Sequence, residues 1–247
     1  MNVLKKLYDK SPIWFAVSWI IAYCVLMSVG DALSALIDID KSVTLAIGIV
    51  LSAVLLLFLK KNGLFSDYGL CKPKASAKSM LYYIPILIML TVNLWYGVSL
   101  NYDALETVLY ILAMLCVGFL EEVIFRGLLF EAMRKDSVKA AIIVSSVTFG
   151  IGHIINLING SGAELLPNML QVIYATAAGF MFVMMYYKSK SLLVCIAAHG
   201  IFNALSVFSN EANATSEIRI LTAILLTVIT GSYALYLAFS MKGRTND

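Results

Sequence analysis

Eight apolar segments, at roughly 13–36, 43–59, 80–100, 105–133, 139–159, 166–187, 191–208 and 218–241, fill most of this 247-residue chain. A helix that crosses a bilayer needs about 20 predominantly apolar residues, with some allowance for tilt. The segments are of that order, and no long polar region separates them. The expected fold is therefore all-α: a polytopic integral membrane protein of about eight transmembrane helices, forming a single membrane domain over 1–247. Composition agrees, since only 13% of residues are charged against about 25% in a soluble domain. Hydrophobic residues make up 61% and mean hydropathy is +0.88. The run Leu51–Leu59 is almost pure Leu, Val, Ala and Phe and is expected to face lipid.

The connections alternate in charge. Lys5, Lys6 and Lys10 precede the first segment, and Lys60, Lys61, Lys72, Lys74 and Lys78 follow the second. Arg126, Arg134, Lys135 and Lys139 mark the end of the fourth, Lys188 and Lys190 the sixth, and Lys242 and Arg244 the last. These are sixteen of the eighteen basic residues, leaving Lys41 and Arg219 on the other side. The positive-inside rule places both termini in the cytoplasm. The apolar run Ile13–Val29 exceeds the ~7–15 residues of a signal-peptide core and reads as a retained first helix. A net charge of +3 gives no reason to expect nucleic acid. Cys24, Cys71, Cys116 and Cys195 have no CxxC spacing and read as packed thiols.

Inside the fourth segment stand Glu121, Glu122 and Arg126, in Gly118-Phe-Leu-Glu-Glu-Val-Ile-Phe-Arg-Gly127. Charges within apolar segments are costly and mark interior or functional positions. On an α-helix Glu122 and Arg126 share a face. Glu121 lies roughly 140° from Arg126 at ~100° per residue, so it is the carboxylate free for chemistry. Arg126 is then structural rather than catalytic.

The two histidines of the chain also lie in apolar segments. His153 follows Phe149 by one turn and His199 precedes Asn203 by one turn. Gly150, Gly152, Ala197, Ala198 and Gly200 surround them, and small residues let membrane helices approach closely. By a rise of ~1.5 Å per residue, Glu121 is roughly 20 Å from Arg134, His153 roughly 20 Å from Lys139 and His199 roughly 14 Å from Lys190. The three reach one layer if the fourth helix is continuous to Arg134. A carboxylate there can take a proton from water, and histidine and asparagine can stabilise an oxyanion. Glu121, His153 and His199 alternatively suit a zinc ion with water in the fourth position, although HExxH is absent. The same buried carboxylates would also suit a proton-coupled transporter or a non-catalytic binding protein.

Glu121-Glu122-x-x-x-Arg126, Phe149-x-x-x-His153 and His199-x-x-x-Asn203, in this order on successive helices, resemble the three motifs of the CPBP family. That family holds the type II CaaX prenyl proteases and the bacterial Abi-like bacteriocin-processing and immunity proteins. The resemblance covers about 105–208. It implies an intramembrane endopeptidase, often labelled a metalloprotease. Glu121 would be general base and Glu122 a supporting carboxylate. His153 and His199 would bind water, metal or oxyanion, and Asn203 would stabilise the oxyanion. The implied substrate is a membrane peptide or lipidated protein, pheromone- or bacteriocin-related, within the lipid bilayer of a bacterial plasma membrane. A bacteriocin immunity protein is the non-catalytic alternative within the same resemblance.

Overall fold

The computed structural model describes residues 2–159 and 164–242. Helix α1 spans Asn2–Lys10, α2 Pro12–Leu36, α3 Ser42–Lys61, α4 Ile84–Thr91 and α5 Ala104–Glu121. Then come α6 Phe130–Arg134, α7 Val138–Gly152, α8 Leu165–Ser189, α9 Leu193–Leu205 and α10 Ser216–Lys242. No β-strand occurs among the described residues; the one extended pairing is an isolated bridge between Val98 and Ser209. Helices α2, α5 and α7 start on side-chain caps. Ser11 accepts from the Trp14 amide at 3.3 Å, Asp103 from Glu106 at 2.8 Å and Ser137 from Ala140 at 3.2 Å, which satisfies donors that a helix start leaves orphaned.

Six helices are long and apolar enough to cross a membrane: 12–36, 42–61, 104–134, 138–157, 165–189 and 216–241. The chain is a multi-pass integral membrane protein. Two of the eight expected segments are shorter apolar helices, Lys78–Leu94 and Leu193–Phe208. The third segment is not the continuous helix expected over 80–100. Leu81, Tyr82 and Tyr83 are left-handed, with φ of 48°, 50° and 59°, and helix resumes at Ile84 with Pro85 in its first turn. Pro85 starts a helix well and continues one badly.

The expectation of a lipid-facing Leu51–Leu59 is also corrected. Leu51, Leu55, Phe58 and Leu59 are buried, while Val54, Leu56 and Leu57 are exposed. Uniform hydrophobicity hides a helix's inner face, because lipid and protein core select the same side chains.

Helix α5 packs along α9, α8 lies between α7 and α10, and α3 packs on α2 and α5. Glycines set the first of these contacts. A Cβ on Gly118 would stand 2.5 Å from the Gly200 amide nitrogen and 2.6 Å from its Cα, so only a bare backbone allows this approach. Gly150 similarly meets Thr176 Cα at 2.8 Å. Gly152, expected to serve the same purpose, faces open space. The α5–α9 approach brings His199 against the glutamates.

Candidate active site

The fourth span is continuous from Ala104 to Arg134, as the common layer requires, but not as one α-helix. Residues Glu122–Leu129 form a π-helix, every one of them buried. Wide turns of this kind are rare and favour functional sites. This one begins at the second of the two glutamates.

Glu122 and Arg126 form the expected pair, Nη1 to Oε1 at 3.0 Å, with both side chains fully buried. His199 Nδ1 meets the same Glu122 oxygen at 2.8 Å. The guanidinium lies over the Phe149 ring at 4.0 Å and near the Phe182 ring at 5.5 Å. Those faces stand in where Arg126 Nε and Nη2 have no hydrogen-bond partner among the described residues. A desolvated cation over an aromatic face gains about 2 kcal/mol. Phe182 also stacks on His199, with centroids 5.4 Å apart and planes at 18°.

Glu121 looks the other way and keeps 12% of its side chain exposed. Tyr23 of α2 donates its hydroxyl to Glu121 Oε1 at 2.8 Å. His199 Nε2 lies 3.3 Å from Glu121 Oε2. His199 therefore stands between the two glutamates, one ring nitrogen towards each.

His153 ends α7, where its Nδ1–H donates to the Phe149 carbonyl at 3.1 Å. That bond satisfies a helix-end carbonyl and leaves Nε2 as the acceptor nitrogen of the neutral ring. Asn168 of α8 donates to the His153 carbonyl at 2.8 Å, tying down the turn. Phe149 touches both imidazoles edge-on, at 5.2 and 5.6 Å between centroids. The Asn203 side-chain amide makes no hydrogen bond among the described residues.

Glu121, His153 and Asn203 line one cavity of about 370 Å³, with Tyr23, Phe125 and Phe149 beside them. His199 lies behind it and lines a smaller space of about 50 Å³ together with His153, Phe182 and Asn203. Glu122 and Arg126 line neither. Among the described residues, no three His, Cys, Asp or Glu side chains are gathered closely enough to hold one metal ion. The two His199 nitrogens face the glutamates, Nε2 towards Glu121 Oε2 and Nδ1 towards Glu122 Oε1.

The model of the type II CAAX prenyl endopeptidase Rce1-like family matches residues 103–205. Over that span the chain is similar to this family. No curated protein and no solved structure matches the chain. The matched span holds Glu121, Glu122, Arg126, Phe149, His153, His199 and Asn203.

Tyr23 lies outside that span and was not among the sequence candidates. Its signal was a hydroxyl within the apolar run Ile20-Ile21-Ala22-Tyr23, since a buried Tyr usually finds a partner for its hydroxyl. Phe182 carried no signal of its own among the aromatic residues of α8.

Proposed function

We propose that the chain is an intramembrane endopeptidase that hydrolyses a peptide bond of a membrane-associated substrate with a water activated by Glu121. The observation that carries this is the division of the glutamate pair. Glu121 borders the cavity with His153 and Asn203, while Glu122 is sealed behind it with Arg126.

The water is held between Glu121 and His153 Nε2, both acceptors. Its oxygen attacks the scissile carbonyl carbon as Glu121 takes a proton. The Asn203 amide donates to the oxyanion that forms, an interaction stronger in the transition state than in the ground state. Glu121 then gives its proton to the departing amine as the C–N bond breaks. Tyr23 and His199 hold the Glu121 carboxylate from two sides, and the buried Glu122–Arg126 pair fixes His199. No step passes through a metal.

The substrate reads as a prenylated or otherwise membrane-bound peptide, and the topology as both termini cytoplasmic in a bacterial plasma membrane. The 16-to-2 distribution of basic residues supports that orientation. Peptides released from membranes of cells carrying the wild-type chain, Glu121→Gln or no copy test the activity. Fragments seen only with the wild type, and still formed in the presence of a chelator, are expected. Identical fragments from Glu121→Gln would instead indicate a non-catalytic binding or immunity protein.

A further inference from the structure

The connection that follows α3 and the turn between α8 and α9 are bonded into one unit. The Lys74 amide donates to the Ser189 carbonyl at 2.8 Å, and the Leu192 amide to the Gly69 carbonyl at 2.8 Å. The Ser191 hydroxyl donates to the Cys71 carbonyl at 2.6 Å, and the Cys71 thiol to the Lys190 carbonyl at 3.3 Å. Lys190 stands at the bend with a left-handed φ of 56°. A residue with a Cβ keeps that backbone only where its surroundings hold it, and these bonds do so.

Three cations meet at this unit: Lys74 from the connection, Lys190 from the turn and Arg134 from the end of α6. Lys190 Nζ lies 4.2 Å from the centre of the Tyr187 ring. Burial lowers the Lys190 pKa below the ordinary value, and the positive charges of Arg134 and Lys74 push the same way against the pull of Glu131. That carboxylate is buried and already engaged twice. Its Oε1 accepts from the Tyr186 hydroxyl at 2.7 Å and its Oε2 pairs with Arg134. One committed carboxylate leaves the three cations in excess. Arg134 keeps 37% of its side chain exposed and Lys74 is exposed, so the excess charge is open to a ligand.

We infer that Arg134, Lys190 and Lys74 form a binding site for the phosphate of an anionic phospholipid headgroup. Charge decides the sign of the ligand, and place decides its source. Arg134 is the last residue of the span 104–134, and Lys190 directly follows the span 165–189. The cluster therefore stands at the level of the headgroups, whichever end of the bundle faces the cytoplasm. Tyr187 beside Lys190 is of the residue type enriched at that level. Basic residues near a membrane surface attract anionic lipid, and here the bonded loops fix two of them beside a third. Arg134 ends the span that carries both glutamates, and Lys190 precedes the helix that carries His199. A phosphate held by both cations ties the ends of those elements together, roughly 20 Å along the span from Glu121 at ~1.5 Å per residue. The site needs no turnover.

The full chain, purified in dodecyl maltoside micelles, is titrated with phosphatidylglycerol, phosphatidylcholine or inorganic phosphate while thermal unfolding is followed. Phosphatidylglycerol should raise Tm saturably, and the other two should not. Lys74→Gln and Lys190→Asn should each need about fivefold more phosphatidylglycerol to reach the midpoint. Asparagine adopts left-handed backbone readily, so without lipid Lys190→Asn should unfold at the wild-type temperature or above it, a repelling cation having gone. Lys60→Gln removes an exposed lysine from the end of α3, outside the cluster, and should leave the midpoint unchanged. An equal response to phosphatidylcholine or to inorganic phosphate overturns the lipid site. So does an equal weakening in Lys60→Gln, which would mean general surface attraction. Where Lys190→Asn proves unstable without lipid, Lys74→Gln decides, and an unchanged midpoint in that variant overturns the inference.

Discussion

The two sides of the glutamate pair are built from adjacent residues and are physically unlike. On the Glu122 side, the carboxylate, Arg126 and one edge of His199 are packed among Phe149 and Phe182 with the ion pair at zero exposure. On the Glu121 side, a carboxylate of the same chemistry meets a tyrosine hydroxyl and the wall of a 370 Å³ cavity. A charge pair in a dry setting is hard to separate and holds structure. A carboxylate at the edge of a cavity can exchange protons with water. One residue of helical rotation is enough to divide these roles, and His199 spans the divide.

The comparison can be broken hardest at Arg126. Arg126→Met leaves Glu122 buried without its cation, and breaking a buried pair in this way costs about 3–5 kcal/mol. Protein abundance in membranes should collapse, which immunoblotting reads directly. Normal abundance would mean that Glu122 does not depend on the arginine.

Asn203→Ala comes next and acts on the other side. Removing one oxyanion donor costs about 10²–10³ in rate. The variant should fold normally, because among the described residues the amide has no partner to strand. A loss of stability equal to that of Arg126→Met would assign Asn203 to packing instead.

Tyr23→Phe sharpens the comparison with the smallest effect. It removes one hydrogen bond to Glu121 while keeping the ring, and a bond to a charged group is worth about 1.5–3 kcal/mol. Turnover should fall about tenfold or somewhat more at an unchanged KM. A rise in KM with turnover intact would place Tyr23 in substrate binding.

Much of the Glu122 side was legible in the sequence. Acid-first spacing predicts the Glu122–Arg126 pair on any helix, and the structure has it at 3.0 Å. Apolar length predicted where six long helices lie. The π-helix at Glu122–Leu129 was not legible, because a pattern read at 3.6 residues per turn has no term for a wider turn. The Glu121 side was legible only in part. Tyr23 is 98 residues from Glu121 in sequence, and no local periodicity links them. The break at Leu81–Tyr83 had a signal in Pro85, which the hydropathy of the segment masks. Residue type and spacing do not reveal that His199 has both nitrogens turned to carboxylates.

The division of the two glutamates is tested most directly by purifying Glu121→Gln and Glu122→Gln, then measuring cleavage rate and thermal unfolding for each. Glu121→Gln should lose about 10²–10⁴ in rate, the usual loss for a general base, and unfold like the wild type. Glu122→Gln should retain more activity but unfold at a lower temperature, because its amide cannot neutralise the buried Arg126. A stable, inactive Glu122→Gln beside an unstable, active Glu121→Gln would contradict the account.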